Sequence, residues 1–299
     1  MNIEQLSAEH GITDKAKIVE GKGGFPVIEI QNEYAKATIS LYAGQVLSFQ
    51  PVNQVQDIMF LSNKAYYAKG KAIKGGTPVC WPWFGPDPED KGRGSHGFVR
   101  NRLWDVREIV SNQDGSTEVV MGLVDTPETR KIWNYGFDLT ISITVGSSLT
   151  IELTTRNTGD EVFEITQALH TYFKIGDISQ VQVLNLEDTS YLDKVDEGKN
   201  KTQTGVVSFE GECDRIYLDV PSQLVIDDKA LGRQIKITAA NSNTAIVWNP
   251  WATISANMAD LGDLDYQRFV CVETANAANE IIEIAPGNDY NMTANYSFQ

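Results

Sequence analysis

The feature that most constrains the fold is a strict two-residue alternation in the middle of the chain. Leu139, Ile141, Ile143 and Val145 interleave with Thr140, Ser142 and Thr144; Gly146-Ser147-Ser148 turns the chain, and Leu149, Ile151 and Leu153 resume the pattern. Successive side chains of a strand point to opposite faces, so this pattern buries one face and wets the other, and the turn predicts a hairpin. Similar β-rich runs recur at 37–42, 118–124, 161–173, 180–186, 205–209, 215–220, 223–227, 234–239, 244–248, 268–273, 280–284 and 290–298, with Gly, Asn, Asp or Pro in most gaps. Helical spacing is confined to the first ten residues and 258–268. Many short strands without regular βα alternation predict an all-β, mainly antiparallel sandwich with few short helices.

Composition narrows the function. With 41% apolar residues in 299, and 11 Phe, 11 Tyr and 6 Trp, the chain can bury a sizeable core and is not disordered. No linker or repeat divides it, so a single domain over 1–299 is expected, with 1–20 as an N-terminal extension. The net charge of −15 argues against general binding to nucleic acid or an anionic membrane, both of which require a basic footprint. Cys80, Cys213 and Cys271 are widely spaced and odd in number, which reads as buried thiols in a reducing compartment. The start lacks a basic-then-apolar leader, and no apolar run approaches the ~18 residues of a membrane span, so a cytoplasmic protein is expected; a monomer is the expected state.

Charge is unevenly distributed. Residues 64–102 hold eight basic side chains against three acidic ones on an otherwise acidic chain, which suggests a small anionic ligand. Overlapping this stretch, 74–104 is rich in Gly and Pro and carries three of the six Trp, a composition that predicts a long ordered functional loop.

Titratable candidates are few. His96 lies in this loop between Ser95 and Gly97. In the run 165–173, alternation sets Ile165, Leu169 and Phe173 on one face and Thr166, Ala168, His170 and Tyr172 on the other. In 268–274, Val270 and Val272 share one face, and Phe269, Cys271 and Glu273 the other. A carboxylate in such company is costly unless it is paired or its raised pKa serves proton transfer. Asp214 precedes a strand, where pairing with Arg215 or capping a turn is an equally simple role.

The segment Lys74-Gly-Gly-Thr-Pro-Val-Cys-Trp-Pro-Trp-Phe-Gly-Pro86, followed by His96-Gly-Phe-Val-Arg100, closely resembles the hexose-6-phosphate mutarotases, or glucose-6-phosphate 1-epimerases, of the aldose 1-epimerase superfamily. In the same order come Leu41-Tyr-Ala-Gly-Gln-Val-Leu-Ser48, Leu169-His170, Asp214-Arg-Ile-Tyr217, Val247-Trp-Asn-Pro-Trp251, Met258-Ala-Asp-Leu-Gly262, Val270-Cys-Val-Glu273 and Ala285-Pro-Gly287. The resemblance implies a galactose-mutarotase-like β-supersandwich and interconversion of the α and β anomers of a hexose 6-phosphate, with no cofactor and no metal. It implies Glu273 as the base at the anomeric O1 hydroxyl and His170 as the acid at the ring oxygen O5. It further implies His96, Asp214, Gln45 and Trp248 as sugar contacts. Lys74 and Arg100 would face the phosphate, with Arg93 and Lys71 as weaker candidates. Trp81 and Trp83 are equally well read as ring faces for the sugar or as core. Lys74 stands where many relatives carry Arg.

Other readings stay open at this point. A non-catalytic sugar-phosphate or carbohydrate sensor would have no need of both His170 and Glu273. A metal-dependent isomerase finds no HxH or HxxxH spacing to support it. A glycosidase requires two facing carboxylates, which the sequence does not locate.

Overall fold

The computed structural model describes residues 2–299. Two eight-stranded antiparallel sheets carry most of the chain. The first runs in the order Val181–Leu184, Gln223–Asp228, Arg233–Ala240, Asp289–Phe298, Leu149–Asn157, Phe137–Val145, Thr117–Val124 and Asp105–Ser111. The second, the site sheet, runs Lys199–Thr202, Ser190–Asp193, Cys213–Leu218, Thr244–Asn249, Phe269–Asn276, Gln167–Leu169 and Val79–Cys80, with Tyr172–Lys174 also paired to Phe269–Asn276. A four-stranded sheet of Ala16–Glu20, Pro26–Gln31, Ala35–Ser40 and Gln45–Pro51 flanks them. Residues 16–20, set apart as an extension in the sequence, are therefore the outer strand of this sheet.

The alternating hairpin is the centre of the first sheet. Phe137–Val145 pairs with Leu149–Asn157 from Phe137↔Asn157 to Val145↔Leu149, and every second residue is buried. Its apolar face joins one continuous core with Val247, Val270, Val272, Leu169 and Tyr217 of the site sheet. Each such side chain contributes about 1.5–3 kcal/mol on burial, which explains why the register is fixed by the alternation. Polar links also cross the core: Thr171 and Tyr296 share a hydroxyl contact of 2.7 Å, and the Trp81 indole donates to Thr155 Oγ1 at 2.9 Å.

Three expectations change. The run 161–173 breaks into Phe163–Ile165, Gln167–Leu169 and Tyr172–Lys174. The run 205–209 forms no strand; Val207 makes a single bridge to Val183. The helix expected at 258–268 lies earlier, at Trp251–Ala256, and only Asp265–Arg268 forms a further 3₁₀ turn. There the Gly262 amide donates to Asp265 Oδ2 at 2.7 Å, closing a tight turn where a helix would have continued. Among the described residues, no helix is long and apolar enough to cross a membrane.

Candidate active site

Three neighbouring strands present their outer faces together. Asp214 lies opposite Trp248, Trp248 opposite Cys271, and Ile246 opposite Glu273. Because side chains alternate, Cys271 and Glu273 leave the sheet on the face away from Val270 and Val272. The floor continues through Ala275, Ala168 and Cys80, which pair in turn across the sheet. These small side chains are fully buried in a cluster against which Phe84 packs.

His170 occupies the break between two strand segments. Leu169 pairs with Thr274 and Tyr172 with Cys271, so the register sets His170 across from Glu273. The His170 amide turns away from this ladder and donates to the Pro78 carbonyl at 2.9 Å, and the Tyr172 amide donates to Gly76 at 2.8 Å. The loop 74–104 therefore holds the catalytic-looking segment from behind. The His170 ring stacks on Tyr172, with centroids 5.0 Å apart and planes 9° from parallel, and meets Trp248 edge-on at 5.8 Å.

His170 Nδ1 stands 3.3 Å from Glu273 Oε1, with 12% and 1% of the two side chains exposed. That distance is within ion-pair range, but Nδ1 is not aligned for a hydrogen bond, and neither it nor Glu273 Oε2 has a partner among the described residues. Burial pushes the Glu273 carboxyl well above its ordinary range; the charge of Asp214 adds to the effect and Arg100 opposes it. Burial pushes the His170 imidazole well below its ordinary range, and His96, Arg100 and Lys74 add to that. Both directions follow from the cost of holding charge away from water. Each shift favours the neutral form of its group.

His96 closes the other side, its ring 5.8 Å from that of His170 and 4.9 Å from Phe84. Its backbone is left-handed at φ 65°, and its Nδ1 accepts from the Gly85 amide at 3.3 Å. Burial, helped by Arg100 and Lys74, pushes its pKa down to about 3. A neutral imidazole that accepts at Nδ1 carries its proton on Nε2, so His96 can donate one hydrogen bond to a ligand. Gly97 makes this placement possible: at φ 69°, a Cβ would sit 1.7 Å from the Trp81 carbonyl oxygen.

Much of the basic stretch is neutralised locally. Arg93 pairs with Asp87 and Glu89, donates to the Ile132 carbonyl and lies over the Trp83 ring, so its guanidinium is spent on the loop itself. Lys71 sits over Tyr66. Lys74 lies 3.6 Å from Asp260, a partner the sequence reading did not assign. Arg100 has no ion-pair partner among the described residues, and its Nη2 donates to the Ser95 carbonyl at 3.0 Å. Burial raises the pKa of Asp214, with Lys194 opposing and Glu212 and Asp193 adding. Gln45 is fully buried, its amide donating to the Ile73 and Gly75 carbonyls, which anchors the start of the loop. Trp81 and Trp83 are core, whereas Trp248 is half-buried at the site.

Local spacing gave no sign of one further cluster. His170, Cys271 and Glu273 each offer a ligand atom, all within 4.8 Å of one another. Surface hollows also lie away from this cluster. One of about 660 Å³ covers Lys15, Lys17 and Lys36, and another of about 630 Å³ lies by Arg102 and Val124. The buried titratable cluster, rather than the size of a hollow, marks the site.

This constellation is accompanied by clear relationships. Residues 26–297 match the family described as aldose 1-epimerase. The chain belongs to the aldose 1-epimerase family. An Escherichia coli protein named "Putative glucose-6-phosphate 1-epimerase" is 36% identical over 277 residues, covering 92% of this chain and 89% of the relative. A Cenchrus ciliaris protein of the same name is 36% identical over 263 residues, covering 85% and 78%. The crystal structure of "a putative mutarotase (YeaD)" from Salmonella typhimurium superposes with a TM-score of 0.90 at 31% identity, covering 97% and 95%. The fold is galactose-mutarotase-like, and this aldose 1-epimerase family member is an isomerase of the mutarotase type.

Proposed function

We propose that this enzyme interconverts the α and β anomers of hexose 6-phosphates, glucose 6-phosphate foremost, with Glu273 as the base and His170 as the acid. The observation that carries the reading is the buried His170/Glu273 pair, Nδ1 and Oε1 3.3 Å apart, with Nδ1 and Oε2 left without hydrogen-bond partners among the described residues. The naming of the relatives and the nearby cations Lys74 and Arg100 support a phosphorylated sugar. The guanidinium of Arg100 suits a phosphate because it offers two parallel donors, and Lys74 adds a point charge.

The chemistry follows from these groups. Glu273 takes the proton of the O1 hydroxyl, the O1 electrons form the C1 carbonyl, the C1–O5 bond breaks, and O5 takes a proton from His170. Rotation about C1–C2 presents the other carbonyl face, and the reverse transfers close the ring. Substrate and product are isomers, and the pair ends with the one proton it began with. A raised carboxyl pKa makes Glu273 a stronger base once ionised, and a lowered imidazole pKa makes His170 a stronger acid once charged, so each shift favours its role. His96 donates to the sugar near O5, Asp214 accepts from sugar hydroxyls, and Trp248 offers a ring face. Gln45 acts through the loop it anchors.

NMR exchange between the α and β H1 resonances tests the substrate. Acceleration for glucose 6-phosphate well beyond that for glucose is expected. Equal acceleration of both sugars would remove phosphate selectivity, and acceleration of neither would favour a non-catalytic sugar binder.

A further inference from the structure

We infer that His170, Cys271 and Glu273 form a zinc-binding site whose occupation switches the enzyme off. The inhibitory part rests on the reading that His170 and Glu273 carry proton transfer; the binding part does not. The donor set is one imidazole nitrogen, one thiol sulfur and one carboxylate oxygen, a mixture that suits Zn²⁺. All three atoms lie within 4.8 Å of one another. Two light-atom ligands at ~2.1 Å from a tetrahedral zinc stand about 3.4 Å apart. His170 Nδ1 and Glu273 Oε1 are already at 3.3 Å, so two of the three positions need little movement.

The site also has unsatisfied capacity. His170 Nδ1 and Glu273 Oε2 are buried without hydrogen-bond partners among the described residues, and the Glu273 side chain is 1% exposed. Cys271 is a free thiol, one side-chain alternation from Glu273 on the same strand face and paired across the sheet with Tyr172 and Trp248. Strand geometry fixes Cys271 and Glu273 relative to each other, and the cross-strand register fixes His170. Binding releases the Cys271 thiol proton and any Glu273 carboxyl proton to solvent, and the bound zinc would then hold the Glu273 carboxylate and the His170 nitrogen together, leaving neither to exchange a proton with O1 or O5. Substrate and metal would therefore exclude one another.

The test uses the full chain, with zinc titrated against a chromophoric chelator and cadmium followed by its thiolate charge-transfer absorption. One metal per chain is expected, with the absorption band present in wild type and absent in Cys271→Ser. Removing this ligand should weaken zinc by at least the roughly 10–100-fold typical of losing only a supporting contact. Anomer exchange should fall in step with zinc occupancy, recover with chelator and be protected by glucose 6-phosphate. No stoichiometric binding, or binding unchanged in both Cys271→Ser and Glu273→Gln, would overturn the site. Full exchange activity in the zinc-loaded protein would overturn the inhibition. An absence of exchange in metal-free wild type, with stoichiometric binding intact, would support the metal site while removing the reading of function.

Discussion

His170 and Glu273 stand opposite one another on adjoining segments of one sheet, Nδ1 and Oε1 3.3 Å apart, with no hydrogen bond at Nδ1. Burial drives their proton affinities in opposite directions, each toward the neutral form. The charged arrangement required for ring opening holds the same number of protons. The pair therefore titrates as a unit, and its behaviour with pH belongs to both residues.

Stability should report this burial directly. The Glu273 carboxyl has a higher pKa in the folded than in the unfolded chain, so its contribution is full below about 4.5 and is lost as pH rises toward the folded value. Glu273→Gln removes that loss. Thermal melts should show the variant gaining on wild type as pH rises above 4.5, with a slope of up to about 1.4 kcal/mol per pH unit. His170 behaves in mirror image: its folded pKa is depressed, so stability is lost as pH falls below 6.5, and His170→Asn should gain on wild type in acid.

The rate profile should be a broad plateau. Active and resting protonation states share one proton count, so their ratio does not change with pH between the two apparent pKa values of the pair. Activity falls in acid only when His170 takes a second proton, below its usual 6.5, and in base only when the protonated pair loses its last proton, well above the usual 4.5 of Glu273. Measuring kcat/KM across pH checks this; a narrow optimum between 4.5 and 6.5 would match unperturbed groups instead.

Gly97→Ala should damage both the fold and the site. Left-handed φ alone costs an alanine roughly 1–2 kcal/mol. The new Cβ also meets the Trp81 carbonyl at 1.7 Å, so the loop must shift and carry His96 with it. A lower melting temperature together with a raised KM is expected, and melting and steady-state kinetics on the same preparation check both.

Cations near the site should divide into two groups. Arg100→Met is expected to raise KM for glucose 6-phosphate by more than KM for glucose. Arg93→Met removes the partner of Asp87 and Glu89, so it should lower the melting temperature without altering the preference between the two sugars. Paired KM measurements on both sugars separate the cases.

The strands that alternate were legible because burial of one face demands it. The edge strand Lys199–Thr202 was not: it carries no apolar alternation and is held by backbone pairing and by Lys199 and Lys201 bound to Asp193 and Asp196. In 205–209 the opposite holds, since apolar residues there fill the core through Val207 and Phe209 without a strand. Spacing at Met258, Leu261 and Leu264 imitates a helix, yet Leu264 is 66% exposed and Gly262 turns the chain. At the site, alternation correctly set His170 apart from Leu169 and Glu273 apart from Val272. Pairing partners distant in sequence left no local signal, so the Lys74–Asp260 contact and the grouping of His170 with Cys271 emerged only from the fold.

The most direct test of the account is anomer exchange of glucose 6-phosphate, read between the α and β H1 resonances, for wild type and Glu273→Gln side by side. Wild type should accelerate exchange, and the variant should be slower by about 10²–10⁴-fold while still binding the sugar phosphate. Exchange at an equal rate in the two proteins, or no acceleration by wild type, would contradict it.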